Sequence, residues 1–172
     1  MSFQSLNKLF FDRAEQYGEK PFLWSKKNKE WSPLTWNETS LKVKQFASGL
    51  KSLGIKSGDK VVIVSENRPE WIIADLAINL IGAVTVPAYT TNTEDDHHYI
   101  LEHSDAKAVI ASNNILANRV ALATTRTKLC KILITLDNYS GFEPDNLKII
   151  NFNEASDFGK NNIETASDHL NQ

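Results

Sequence analysis

The chain has 172 residues, enough for one good hydrophobic core or two small lobes. Hydrophobic residues make up 41% and charged residues 23%, an ordinary globular balance. A formal net charge of -2 argues against a nucleic-acid surface or a polybasic membrane patch.

The single cysteine, Cys130, lies in the apolar-leaning run Leu129 to Leu136. One thiol cannot build an internal disulfide framework and fits a reducing, cytoplasmic compartment. Cys130 is read as a buried strand thiol, with a reactive nucleophile as the alternative. The opening MSFQSLNKLFFDRAEQ lacks a basic segment followed by a continuous apolar one, so no signal peptide is expected.

In chain order, Ser5 is a plausible N-cap, and Leu6, Leu9, Phe10, Ala14 and Tyr17 follow at helical spacing up to Gly18. Phe22-Leu23-Trp24 and Ser32 to Thr35 read as two short strands around the turn Lys26-Lys27-Asn28-Lys29. That lysine run is read as a solvated hairpin tip, with an anion site as the alternative. Thr35-Trp36-Asn37-Glu38 fits a capping box, and the helix behind it ends at Gly54.

Val61 to Tyr89 then forms the organising stretch. A β-branched run, Val61 to Val64, stops at Ser65-Glu66-Asn67-Arg68-Pro69-Glu70. Asn67 to Glu70 supplies a cap, an early proline and an acid at the positive end of a helix dipole. The helix ends at Gly82, and Val84 to Val86 makes the next strand before Pro87. This βαβ unit predicts parallel strands and a right-handed crossover. Asp75, Asn79, Gly82 and Pro87 interrupt the apolar run, so a buried helix is expected rather than a membrane span. Its apolar residues lie nearly all round, which predicts burial on more than one side. Asp75 is the exception, facing either a neighbouring donor or an edge of solvent.

Thr93 with Glu94, Asp95 and Asp96 starts a short helix to about His103. Lys107 to Ala111, Lys131 to Thr135 and Leu147 to Phe152 read as further strands, with a helix over Asn114 to Thr124. From Glu154 onward the chain is polar, and a loose helix or frayed tail is expected. The expected division is therefore 1–153 as a layered α/β unit and 154–172 as a polar tail or loose helix. The fold class is α/β: a largely parallel sheet with flanking helices and an N-terminal helix–hairpin–helix lobe.

Chemistry is harder to find. No GxGxxG or GxxxxGK[ST] occurs, and the turn after the first parallel strand has no glycine, which argues against a Rossmann site. His97, His98 and His103 cluster, and His98 shares a helix face with Glu102, but zinc needs three or four converging ligands. A surface helix with incidental histidines is the reading. Ser65 lacks the flanking glycines of a nucleophile elbow. Glu66, Arg68 and Glu70 could bind a ligand at a strand's carboxyl end, or they cap and solvate a helix start. Arg68 could equally pair with an acid elsewhere in the fold. No catalytic, cofactor-binding or metal residue is assigned.

Several separated blocks nevertheless resemble one family in order. They are Pro21-Phe22-Leu23, Leu34 to Glu38, Leu53 to Val61, Ser65 to Trp71, Gly82 to Pro87 and Tyr99 to Ser104. They are similar to the N-terminal part of the adenylate-forming (AMP-binding) enzymes, and Asn67-Arg68-Pro69-Glu70-Trp71 most resembles long-chain fatty acyl-CoA synthetases. The resemblance implies a two-step reaction using ATP, magnesium and CoA, through an acyl-adenylate. The phosphate loop ending in Lys, the aromatic-Thr-Glu block, the ribose-binding Asp and the catalytic Lys that the family uses have no counterpart in these residues.

The expectation is thus an incomplete N-terminal portion of a long-chain fatty acid–CoA ligase, inactive alone and binding no cofactor by itself. A non-catalytic interaction or ligand-binding module on the same scaffold is the alternative; a flavodoxin-like nucleotide binder is the weakest. The partners implied are the missing remainder of the synthetase and self-association, with no nucleic acid and no transmembrane segment. Peripheral membrane contact is open for the full enzyme.

Overall fold

The computed structural model describes residues 5–160. Thirteen elements follow one another: α1 (Leu6–Tyr17), β1 (Pro21–Lys27), β2 (Glu30–Thr35), α2 (Trp36–Ser52), β3 (Lys60–Val64), α3 (Pro69–Leu80) and β4 (Val84–Ala88), then α4 (Glu94–His103), β5 (Ala106–Ala111), α5 (Asn114–Thr124), β6 (Ile132–Thr135), β7 (Lys148–Asn151) and α6 (Phe152–Gly159). A five-stranded sheet has the order β4-β3-β5-β6-β7, and every pairing in it is parallel. The antiparallel β1–β2 hairpin is a separate two-stranded sheet.

Strand alternation distributes the core between two faces. Val61, Ile63, Ile110, Ile134 and Ile150 point to the side covered by α2, α3 and α6. Val62, Val64, Val109, Ala111 and Leu133 point to the side covered by α4 and α5. The central strands are buried on both faces, which is why β3 reads as an unbroken β-branched run. Full burial of a side chain such as Ile63, Ile78 or Phe46 contributes about 1.5–3 kcal/mol. The expected layered α/β class with a helix–hairpin–helix lobe is the observed one.

Local signals act where the side chains can satisfy orphan amides. Thr35 and Glu38 form a reciprocal capping box at α2, and Thr93 and Asp96 form another at α4. At Gly82 the chain turns with φ +72°, and a Cβ there would come within 2.6 Å of the Ser57 hydroxyl. Only glycine serves at that stop.

Four expectations are corrected. The N-cap of α3 is Arg68, not Asn67, and no side chain caps this end; Pro69 removes one orphan amide instead. Phe152 begins α6 rather than ending a strand, because Asn151 caps the helix by accepting from the Asn153 amide. His97 is buried at 1% exposure, since α5 packs over the face of α4 that carries it. Finally, of the loose helix or frayed tail expected from Glu154 onward, the stretch to Gly159 is helix, and it is packed rather than loose. Phe152 and Ala155 are buried, and the Phe152 ring lies 4.1 Å from that of Phe46 on α2. Residues beyond 160 lie outside the described residues.

The α2–α6 contact depends on two glycines. A Cβ on Gly49 would stand 2.0 Å from the Ala155 carbonyl oxygen, and one on Gly159 would stand 2.0 Å from that of Gln45. Both helices approach backbone to backbone.

Candidate functional site

In an open parallel sheet, ligands settle beyond the strand carboxyl ends where successive connections diverge to opposite faces. Here that point lies between β3 and β5. The chain leaves β3 into α3 on one face and leaves β5 into α5 on the other. The loops carrying Ser65 to Arg68 and Ser112 to Asn113 therefore border the crevice.

Its floor is occupied by the chain's own side chains. Glu66 accepts a short hydrogen bond from the Ser112 hydroxyl and another from Asn113 Nδ2 at 2.8 Å. The Ser112 bond, helped by Arg68, holds the Glu66 carboxyl below its ordinary value. Asn113 also accepts from the Leu116 amide at 3.0 Å, so one amide side chain caps α5 and binds Glu66.

Arg68 extends the lattice sideways. Its Nε donates to Glu70 at 2.8 Å and its Nη1 to Asp137 at 3.0 Å. The Glu70 hydrogen bond raises the Arg68 pKa further above its already high ordinary value. Asp137 follows β6, and its carbonyl accepts from Asn151 at the end of β7 at 3.5 Å. Side chains from β3's loop thus tie together the carboxyl ends of β5 and β6, and the Asn151 side chain adds that of β7. The side chains of Glu66 and Arg68 therefore do not cap the helix start; they bond to the ends of neighbouring strands.

A cleft of about 370 Å³ opens next to this network at the ends of β6 and β7, with Glu143 and Glu154 among its lining. Tyr139 there donates to Asn118, and burial raises its hydroxyl pKa.

The other candidates are scattered. Ser65 donates to its neighbour's carbonyl, Glu66 O, at 2.8 Å. Cys130 is buried and its thiol is pushed up to about 12 by desolvation, so the thiolate nucleophile is not formed near neutrality. Glu102 accepts from the Lys128 amide, and His103 stacks on Tyr99 at 5.2 Å. Neither joins His98 in a ligand set; among the described residues no group of three His, Cys, Asp or Glu is placed to hold a metal ion. Burial, with Arg119 nearby, lowers the His97 pKa, and its Nε2 has no hydrogen-bond partner. Asp75 meets a donor on its own helix, Asn79 Nδ2, at 3.0 Å.

The AMP-binding enzyme family matches residues 10–167 of the chain. The chain belongs to that family. A long-chain-fatty-acid–CoA ligase of Mycobacterium tuberculosis, FadD15, is 41% identical over 91 residues, which cover 53% of this chain and 15% of that protein. A second long-chain-fatty-acid–CoA ligase, ACSBG2 of Gallus gallus, is 31% identical over 119 residues, covering 69% of this chain and 16% of that one.

Among solved structures, a benzoate CoA ligase from Burkholderia xenovorans superposes with a TM-score of 0.73 at 26% identity, covering 90% of this chain and 28% of that one. Coronafacic acid ligase from Pectobacterium brasiliense superposes with a TM-score of 0.75 at 22% identity, covering 88% and 29%. The chain thus spans about a sixth of the curated relatives' length.

The crevice at the switch point offers little to the phosphates of a nucleotide. It presents carboxylates where a triphosphate would need amides and cations, and its guanidinium is engaged by Glu70 and Asp137. This lining does not fit a triphosphate. What its side chains are fitted to do is fasten strand ends.

Proposed function

We propose that this chain is scaffold from the N-terminal part of an ATP-dependent, AMP-forming long-chain fatty acid–CoA ligase, and that it performs no ligation by itself. The observation that carries the reading is the 41% identity to a long-chain-fatty-acid–CoA ligase within a family match over residues 10–167. The self-satisfied crevice supports the second half, because its carboxylates disfavour bound phosphate.

On this reading ATP, magnesium and CoA act on segments outside these residues, and the remainder of the synthetase is the natural partner of the scaffold. Self-association in its place would cover edge strand β4, where Val84 and the following Tyr89 are exposed. Among the described residues no helix is long and apolar enough to cross a membrane. The buried free thiol supports a reducing, cytoplasmic setting.

Reading the coding sequence beyond residue 172 tests the proposal. A Ser/Thr/Gly-rich loop ending in Lys, in frame, is the expected result. An in-frame continuation into an unrelated domain would overturn it.

A further inference from the structure

The β1–β2 hairpin presents a surface that the fold does not use. Its base is anchored: Phe22 stacks on Trp36 with ring centroids 3.7 Å apart, and Phe10 closes on both rings at 5.8 Å. Beyond the base, every residue from Asn28 to Pro33 is exposed. The turn is tight, with Asn28 and Lys29 both at positive φ (50° and 70°), a two-residue loop whose twist suits the ribbon.

Register decides which side chains share a face. Trp24 pairs with Pro33 and Lys26 with Trp31, so these four side chains lie on one side of the ribbon. Trp24 is 52% exposed and Trp31 61%. The Lys26 ammonium sits 5.8 Å from the centroid of the Trp31 ring. Charge is concentrated as well. Residues 20–30 hold four lysines against one acid, Glu30, in a chain whose net charge is -2. Of these, Lys26 and Lys29 are exposed at the hairpin's free end.

Two kinds of partner could meet exposed tryptophans, and the lysines distinguish them. Protein interfaces favour tryptophan but are depleted of lysine. Bilayer interfaces favour both: indole rings sit at headgroup level, and ammonium groups meet anionic lipid. We infer that the Trp24–Lys26–Trp31–Pro33 face of the hairpin docks on an anionic lipid bilayer. Trp24 and Trp31 enter the headgroup layer while Lys26 and Lys29 meet lipid phosphates; Glu30 opposes them and makes docking dependent on anionic lipid. This does not rest on the ligase reading, which can fail while docking holds.

Co-sedimentation of the 172-residue chain with phosphatidylcholine vesicles, with and without phosphatidylglycerol, tests it. The chain should sediment with the anionic vesicles alone, and added salt should release it. Trp24→Ser with Trp31→Ser should lower partitioning about tenfold or more. Lys26→Gln with Lys29→Gln should also weaken binding and flatten its salt dependence. All four positions are exposed, and an unchanged thermal melt verifies that the variants fold. Vesicles should blue-shift the fluorescence of the wild type and not of the double tryptophan variant.

Absent binding, equal binding to neutral vesicles, or equal binding by the tryptophan variant would overturn the proposal. So would a wild-type dimer that Trp24→Ser dissociates while no vesicle binding occurs, which would make the face a protein interface.

Discussion

Arg68 donates to the Asp137 carboxylate at 3.0 Å, joining residues 69 positions apart across the carboxyl edge of the sheet. The contact spans β3, β5 and β6, so it connects strands that local sequence cannot align. Both partners are partly exposed, at 26% and 50% of their side-chain area, which limits the pair itself to about 1 kcal/mol or less. Arg68→Ala also removes the ion pair with Glu70 and should cost about 1–2 kcal/mol in urea unfolding. Combined with Asp137→Ala in a double-mutant cycle, the coupling should be about 0.5 kcal/mol. Additive effects would show that the two charges do not interact.

Gly49 makes the helix contact that admits α6. Alanine would gain up to about 1 kcal/mol of helix propensity. Against this stands a Cβ 2.0 Å from the Ala155 carbonyl oxygen, which only a backbone shift can relieve. Overpacking of that kind costs about 1–3 kcal/mol, so the clash prevails. Gly49→Ala should lower the melting temperature by several degrees, whereas Lys42→Ala on the exposed side of α2 should leave it nearly unchanged.

Two groups should shape the acid limb of stability in separate windows. His97 has a folded pKa below its ordinary 6.5, so the unfolded chain takes up its proton first. Its share of stability is present above about pH 6.5 and declines as pH falls toward the lower folded value. Glu66, held below its ordinary 4.5, contributes above that value and is lost as pH falls through its folded pKa. In pH-dependent unfolding, His97→Leu should flatten the upper part of the limb, and Glu66→Gln the lower part. Unchanged slopes in both variants would refute the assignment.

Cys130 should be silent in the native state. With its thiol pushed up to about 12 and its side chain buried, a chromogenic disulfide reagent at pH 8 should react only after urea unfolds the chain. Rapid reaction of the folded chain would mean that this strand end opens.

The sequence carried more of the fold than of the site, for physical reasons visible at single residues. β3 announces itself because a strand buried on both faces must be apolar throughout. Thr35 and Glu38 are legible because a capping box is local. The burial of His97 depends on α5, more than one element away, and helical spacing in α4 holds no trace of it. Glu66 and Ser112 are 46 residues apart, and nothing local pairs them. The docking of α6 leaves no mark on an apolar periodicity, because Gly49 and Gly159 act by lacking a side chain. A net charge summed over the whole chain says nothing of where Lys26 and Lys29 stand. Ser65 to Trp71 was the clearest family signature, and its Glu66 and Arg68 turn out to bind the sheet's edge together.

On the proposed reading these residues are scaffold without the chemistry of ligation. The most direct measurement is AMP and acyl-CoA production by the purified chain given ATP, magnesium, a long-chain fatty acid and CoA. No product above the protein-free control is the predicted result. Stoichiometric formation of AMP and acyl-CoA would show that ligation chemistry resides within these residues.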